Sequence, residues 1–216
     1  MPRVLVLSGP NHAFDKCAPI VANALESHPG LDVMLAEDQA ILAAPQLASY
    51  DVVVHGSGFS QRERQPDGSA KIVPYLSEAQ ESGLFSFVRS GKGFIGIHGT
   101  GWWIGGEAVQ LVGGHANWHP PGLEFGVRID DRAHPITRGV DDFVVNDEIY
   151  MSAWDPRIHV LATATWAERH HPMAWTHAYG QGRVFFTTLG HGPGTFENSA
   201  VQTLLANACR WTAGAA

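Results

Sequence analysis

The feature that most constrains this chain is a repeated local grammar. A short, unbroken apolar run stops at glycine, and in two of three cases a histidine stands beside that glycine. Arg3-Val-Leu-Val-Leu-Ser-Gly9, Tyr50-Asp-Val-Val-Val-His-Gly56 and Gly93-Phe-Ile-Gly-Ile-His-Gly99 share it. A run without polar alternation has no face to give to water, so each reads as a parallel strand buried on both sides. Such strands need helices to cover them, and two segments have helical spacing. Residues 15–28 place Ala18, Val21, Ala22 and Leu25 on one face, with Asp15 as N-cap and Pro29-Gly30 as the stop. Residues 72–90 place Leu76, Ala79, Leu84, Phe85 and Val88 likewise, with Pro74 near the start. Residues 32–37 read as a further strand and the polar stretch 60–70 as a mobile surface loop. The expected architecture is a three-layer α/β fold with a mostly parallel central sheet.

The second half changes character. Residues 123–130, 143–151, 159–166 and 173–179 read as strands, and Gly180-Gln-Gly182 turns the last of them into a hairpin with 183–189. Asn198 caps a final helix over 200–211. There is no internal repeat, low-complexity tract or dividing linker, so residues 1–216 are expected to form a single domain.

Composition narrows the function classes. With 44% hydrophobic and 16% charged residues, the chain can bury a sizeable core. No apolar stretch approaches the roughly 20 residues of a membrane helix. Fourteen basic against 21 acidic residues give a net charge of -7, with three lysines and no basic run, which argues against a nucleic-acid surface. A strand that begins at Arg3 leaves no room for a signal peptide, and two cysteines, Cys17 and Cys209, make no disulfide framework. The expected location is the cytoplasm. In a flavodoxin-like arrangement the two cysteines would sit at opposite ends of one helical layer, too far apart to pair.

In open α/β sheets ligands bind beyond the carboxyl ends of the parallel strands. Here those ends carry Ser8-Gly-Pro-Asn-His12, His55-Gly-Ser-Gly58 and His98-Gly-Thr-Gly101, the last followed by Trp102-Trp103. Gly96-Ile-His-Gly-Thr100 has the form of a nucleophile elbow with His98 where serine or cysteine would stand. A histidine there can carry protons or bind a metal; the plain alternative is a hydrogen-bonded core histidine. His191, in Leu189-Gly-His-Gly192, repeats the pattern. His115 and His119 are four apart, as on a zinc-binding helix, but Pro120-Pro121-Gly122 argues for a loop. In Asn146-Asp-Glu-Ile-Tyr150, alternation sends Asp147 and Glu148 to opposite faces, so one of them can enter the crevice as an acid or base. His177 is either a site residue or a cross-strand partner. His28, His134, His159, His170 and His171 read as ordinary loop or surface residues. No dinucleotide fingerprint, P-loop or H-E-x-x-H motif is present.

Five stretches, in order, resemble one known family. They are Gly93-Phe-Ile-Gly-Ile-His-Gly99, Gly113-Gly114 through His119-Pro120, His134-Pro-Ile-Thr-Arg-Gly139, Asp147-Glu-Ile-Tyr150, and Pro172-Met-Ala-Trp-Thr-His through Gly190-His191. The chain is identified by them as similar to the trehalose-utilization (ThuA-like) family, over nearly its whole length. The resemblance implies a flavodoxin-like fold of the class I glutamine amidotransferase type. It also implies the handling of disaccharides and their oxidised keto derivatives, with His98, His119, Glu148 and His191 as site residues. His98 replaces the amidotransferase cysteine, which argues against glutamine hydrolysis.

Indole faces pack well on pyranose rings. Trp102, Trp103 and Trp175 therefore join Asn11, His12, His119 and His177 as expected ligand contacts. His98, Glu148 and His191 are the expected catalytic residues, with Glu148 and His98 exchanging protons and His191 polarising an oxygen of a keto-sugar. Two alternatives stand beside this: a non-catalytic sugar-binding or regulatory module, and a zinc-dependent hydrolase holding the metal on His98, His119 and His191. The expected partner is a small-molecule carbohydrate; a divalent metal such as zinc and a homo-oligomer are left open.

Overall fold

A computed structural model describes residues 1–215. In chain order the elements are β1 (Arg3–Leu7), α1 (Phe14–Ser27), β2 (Asp32–Ala36), β3 (Val52–His55), β4 (Ser60–Arg64), β5 (Ala70–Pro74), α2 (Glu78–Arg89) and β6 (Gly93–Ile97). There follow α3 (Gly106–Val112), β7 (Gly114–Trp118), β8 (Leu123–Ile129), β9 (Phe143–Asp147), β10 (Met151–Trp154), β11 (His159–Trp166), β12 (Arg169–Tyr179), β13 (Gly182–Thr187), α4 (Pro193–Phe196) and α5 (Ser199–Thr212).

Nine strands form one mixed sheet in the order β2-β1-β3-β6-β13-β12-β11-β8-β9. From β2 to β13 every pairing is parallel. From β13 to β9 every pairing is antiparallel, so the expectation of a mostly parallel sheet holds for one half only. The three apolar runs β1, β3 and β6 are interior strands. Their alternate side chains enter two separate cores, which explains why polar residues are missing from them. Val4 and Val6 pack with Val21 and Leu25 of α1 and Leu204 and Leu205 of α5. Leu5 and Leu7 pack with Leu84, Phe85 and Val88 of α2. Cys17 and Cys209 are free thiols, both buried in the first of these cores.

Several local expectations change. The stretch 60–70 belongs to a two-stranded ribbon, β4 with β5, registered from Ser60 opposite Pro74 to Arg64 opposite Ala70. It has no apolar alternation because it packs on almost nothing. Pro74 therefore ends a strand rather than starting a helix. Helix α2 begins after Ser77, whose hydroxyl accepts from Gln80 N while the Gln80 side chain accepts from Ser77 N. Helix α1 starts one residue before the expected cap Asp15, after Ala13 in a left-handed conformation. The segment 114–118 is a strand pairing with β10, not a loop. The run 143–151 is broken, so that Glu148, Ile149 and Tyr150 lie between β9 and β10.

Candidate functional site

The site forms where one edge of the sheet collects several strand ends. β1, β3, β6 and β13 are parallel, so their carboxyl ends share that edge. Four antiparallel steps separate β13 from β9, so β9 runs the same way and delivers Asp147 and Glu148 to the same edge. Four non-glycine residues in this region have left-handed backbones: His12 (φ 53°), Ala13 (φ 53°), His98 (φ 40°) and Trp103 (φ 51°). Such conformations persist only where surroundings hold them, and they gather at functional sites. Two glycines make the crowding feasible. A side chain on Gly99 would meet the His12 ring, with Cγ at 2.7 Å, and one on Gly190 would meet Ile97 Cγ2 at 2.7 Å.

Glu148 is the centre. Its Oε1 lies 3.1 Å from His191 Nδ1 and 3.5 Å from His119 Nδ1, and its Oε2 lies 3.5 Å from His98 Nε2. Only 9% of the Glu148 side chain is exposed, against 57% for His191. His98 is fully enclosed. Its Nδ1 donates to the Thr188 carbonyl at 2.7 Å, which leaves Nε2 as an acceptor for the Tyr150 hydroxyl at 2.6 Å. Aromatic rings wall the cluster: Trp102 meets His119 and Tyr150 edge-on, and Trp103 lies 5.6 Å from His12.

Burial and charge sort these groups. Burial pushes His98 down to about 3, with nearby His12 adding to it, so its imidazole is neutral. Burial likewise takes His12 down to about 4. Burial pushes the Glu148 carboxyl up, but the contacts with His191, His98 and His119 outweigh it and keep it below the ordinary glutamate range. The contact with Glu148 in turn raises His191. Burial holds the Tyr150 hydroxyl well above the ordinary range, so it remains a donor. The site thus presents the Glu148 carboxylate, an accessible His191 imidazole poised to hold a proton, and a neutral imidazole–phenol pair beneath them. Ligand atoms of His98, Glu148 and His191 all lie within 4.8 Å of one another, so these three could hold a divalent ion, with Glu148 in the place expected for His119.

The structure brings together His12, His98, Trp102, Trp103, His119, Glu148 and His191. Asn11 lies at the border, its amide reaching the Ser60 carbonyl at 3.4 Å at the base of the ribbon. Two expected contacts are not there. Trp175 is a core residue of β12: its ring packs at a tilt against Phe186 and it donates from Nε1 to the Val112 carbonyl at 2.8 Å. His177, two residues on and thus on the same side of β12, has its Nε2 2.7 Å from the Leu111 carbonyl at the end of α3. Neither faces Glu148. Tyr150 was missed, although it closes the Asp147-Glu-Ile-Tyr motif; an apolar-looking strand gave no sign that the chain bends after Asp147.

A comparison with protein families matches residues 3–212 to the ThuA family, described as trehalose utilisation. A comparison with curated protein sequences finds no match. Among solved structures, a ThuA-like protein from Parabacteroides merdae has a TM-score of 0.78 at 18% identity, covering 98% of this chain and 89% of that one. A ThuA-like protein from Bacteroides uniformis has 0.75 at 17%, covering 97% and 90%. A cytoplasmic protein from Salmonella typhimurium has 0.67 at 14%, covering 97% and 99%. At these identities the structural likeness speaks for the fold alone.

Proposed function

The chain belongs to the trehalose-utilisation (ThuA) family, and from that membership we propose that it is an enzyme of carbohydrate metabolism moving a proton next to the carbonyl of a disaccharide-derived keto-sugar. Family membership supports the carbohydrate; the arrangement of the site supports the chemistry. The observation that carries the reading is Glu148, a nearly buried carboxylate within 3.5 Å of three imidazoles of which His191 is the most open to solvent. We assign the proton transfer to His191 with Glu148 behind it. His119, 30% exposed, faces the same carboxylate and would polarise the carbonyl oxygen. His98 is enclosed and neutral, with Nε2 taken by the Tyr150 hydroxyl, so in this reading the pair forms the floor of the site and His98 exchanges no protons itself. Trp103, 37% exposed beside His12, would supply the indole surface for a pyranose ring. A cytoplasmic setting belongs to the same reading. It is supported by the two free cysteines and by the Salmonella relative's description.

A second reading, metal-assisted hydrolysis, is favoured by the convergence of His98, Glu148 and His191. One experiment separates the two. The purified, untagged protein is incubated in D2O with trehalose and with its keto derivatives, and C–H signals are followed by NMR. Deuterium entering beside the carbonyl of the keto compounds, unaffected by EDTA, supports proton transfer. Loss of activity on chelation and its return with zinc supports the metal. Binding of both sugars without change would leave a binding module, and failure to bind either would remove the sugar altogether.

A further inference from the structure

Asp147 is the carboxylate at this edge that the proton-transfer reading leaves without a task. Its side chain is buried, and every hydrogen bond it makes is an accepted one. Oδ1 accepts from Glu148 N at 2.7 Å and His191 N at 3.2 Å; Oδ2 accepts from Gly190 N at 2.8 Å and Thr195 Oγ1 at 2.6 Å. Two consecutive backbone N–H groups closing on one anion form a nest, here filled by the chain's own side chain. The backbone at Gly190 is held at φ 130°, in a region open to glycine. The nest ends at His191, whose ring then reaches Glu148, the residue next to Asp147. Consecutive residues thus hold one histidine twice, Asp147 by its backbone and Glu148 by its ring.

We propose that Asp147 is a positioning residue: by gripping the N–H groups of Gly190 and His191 it sets the direction of the His191 imidazole towards Glu148. No other residue type does this as well. Four donors converge on two carboxylate oxygens, whereas an asparagine would turn its NH2 against two of them. The proposal rests on the reading of His191 and Glu148 as the reacting pair, but its first test does not.

That test is Asp147→Asn, followed by amide NMR and hydrogen exchange. With the rest of the spectrum preserved, the Gly190 and His191 amides are expected to move, and their exchange protection to fall by about tenfold or more, as a lost hydrogen bond to a charged group implies. The His191 ring signals should move with them. On a keto-sugar, kcat should fall with KM nearly unchanged, and D147N should add nothing to H191A, since both remove one function. A folded D147N protein with unmoved Gly190 and His191 signals overturns the proposal. Should D147N fail to fold, Thr195→Val decides: removing the hydroxyl that shares Oδ2 must shift the Gly190 amide, and an unshifted amide overturns it equally. If the unaltered protein exchanges no deuterium into any keto-sugar, the reaction reading fails while these amide signals still decide the role of Asp147.

Discussion

His98 and His191 close adjacent parallel strands with the same residue type beside glycine, and their surroundings make them different acids. Enclosure leaves His98 neutral, while the Glu148 contact favours the charged form of His191. Replacing His191 by alanine or Glu148 by glutamine should lower deuterium exchange by about 10²–10⁴-fold, the usual range for one acid–base group. Stability should be nearly unchanged for H191A, because that side chain is largely solvated. His98→Ala should behave otherwise and lose stability as well. It strands the Thr188 carbonyl and the Tyr150 hydroxyl in the interior, at about 1–3 kcal/mol for each unsatisfied group, which urea denaturation will measure. Trp175→Ala should cost about 3–5 kcal/mol as a core truncation while leaving sugar binding per folded molecule intact. At this scale the sequence marked the chemistry-bearing types well. It could not tell a histidine in the floor of the site from one in its mouth, since both end a strand beside glycine.

Helix α2 is only partly encoded in local sequence pattern. Its apolar face and its body were legible; its start was not, because Pro74 suits the end of a strand as well as the first turn of a helix. The true start is the Ser77–Gln80 capping box. Ser77→Ala should lower stability by about 1 kcal/mol. Gly83 lies mid-helix, where alanine ordinarily stabilises by about 1 kcal/mol. Here the sign reverses. A methyl group on Gly83 would run into the backbone carbonyl oxygen of Leu42, which cannot step aside as a side-chain tip can. Gly83→Ala should therefore lower the melting temperature, and a rise would refute the close packing of α2 on residues 39–43. The β4–β5 ribbon escaped notice for the opposite reason. Its exposed charged residues carry no periodicity, and only its own ladder of backbone hydrogen bonds defines it.

For the whole molecule, buried neutral histidine predicts sensitivity to acid. His55 is fully buried, its Nε2 donating to the Gly58 carbonyl at 3.0 Å, and burial takes it down to about 4. In the unfolded chain it titrates near 6.5. Between these values the unfolded state binds more protons, so stability rises with pH there. Stability from this group is constant above about pH 6.5 and falls progressively as the pH drops towards 4, the loss reaching roughly 3 kcal/mol once both states are protonated. Melting temperatures should drop between pH 7 and pH 4.5, and His55→Gln, which retains a donor for Gly58, should flatten that slope even if it lowers the baseline. An unchanged slope would remove His55 as a cause.

What the amino-acid sequence determined by itself was the set of buried strands, the bodies of α1, α2 and α5, the edge at which polar residues gather and the residue types found there. These follow from local periodicity, from the absence of polar alternation in the apolar runs, and from the preference of glycine for strand ends. The tertiary structure decided everything that depends on distant segments meeting. The antiparallel half of the sheet turns β9 so that Glu148 reaches the histidines of β6 and β13, and the core between β12 and α3 claims Trp175. Enclosure, which no spacing encodes, separates the charge of His191 from that of His98. A carboxylate 43 positions before Gly190 in the chain holds the backbone on which His191 sits.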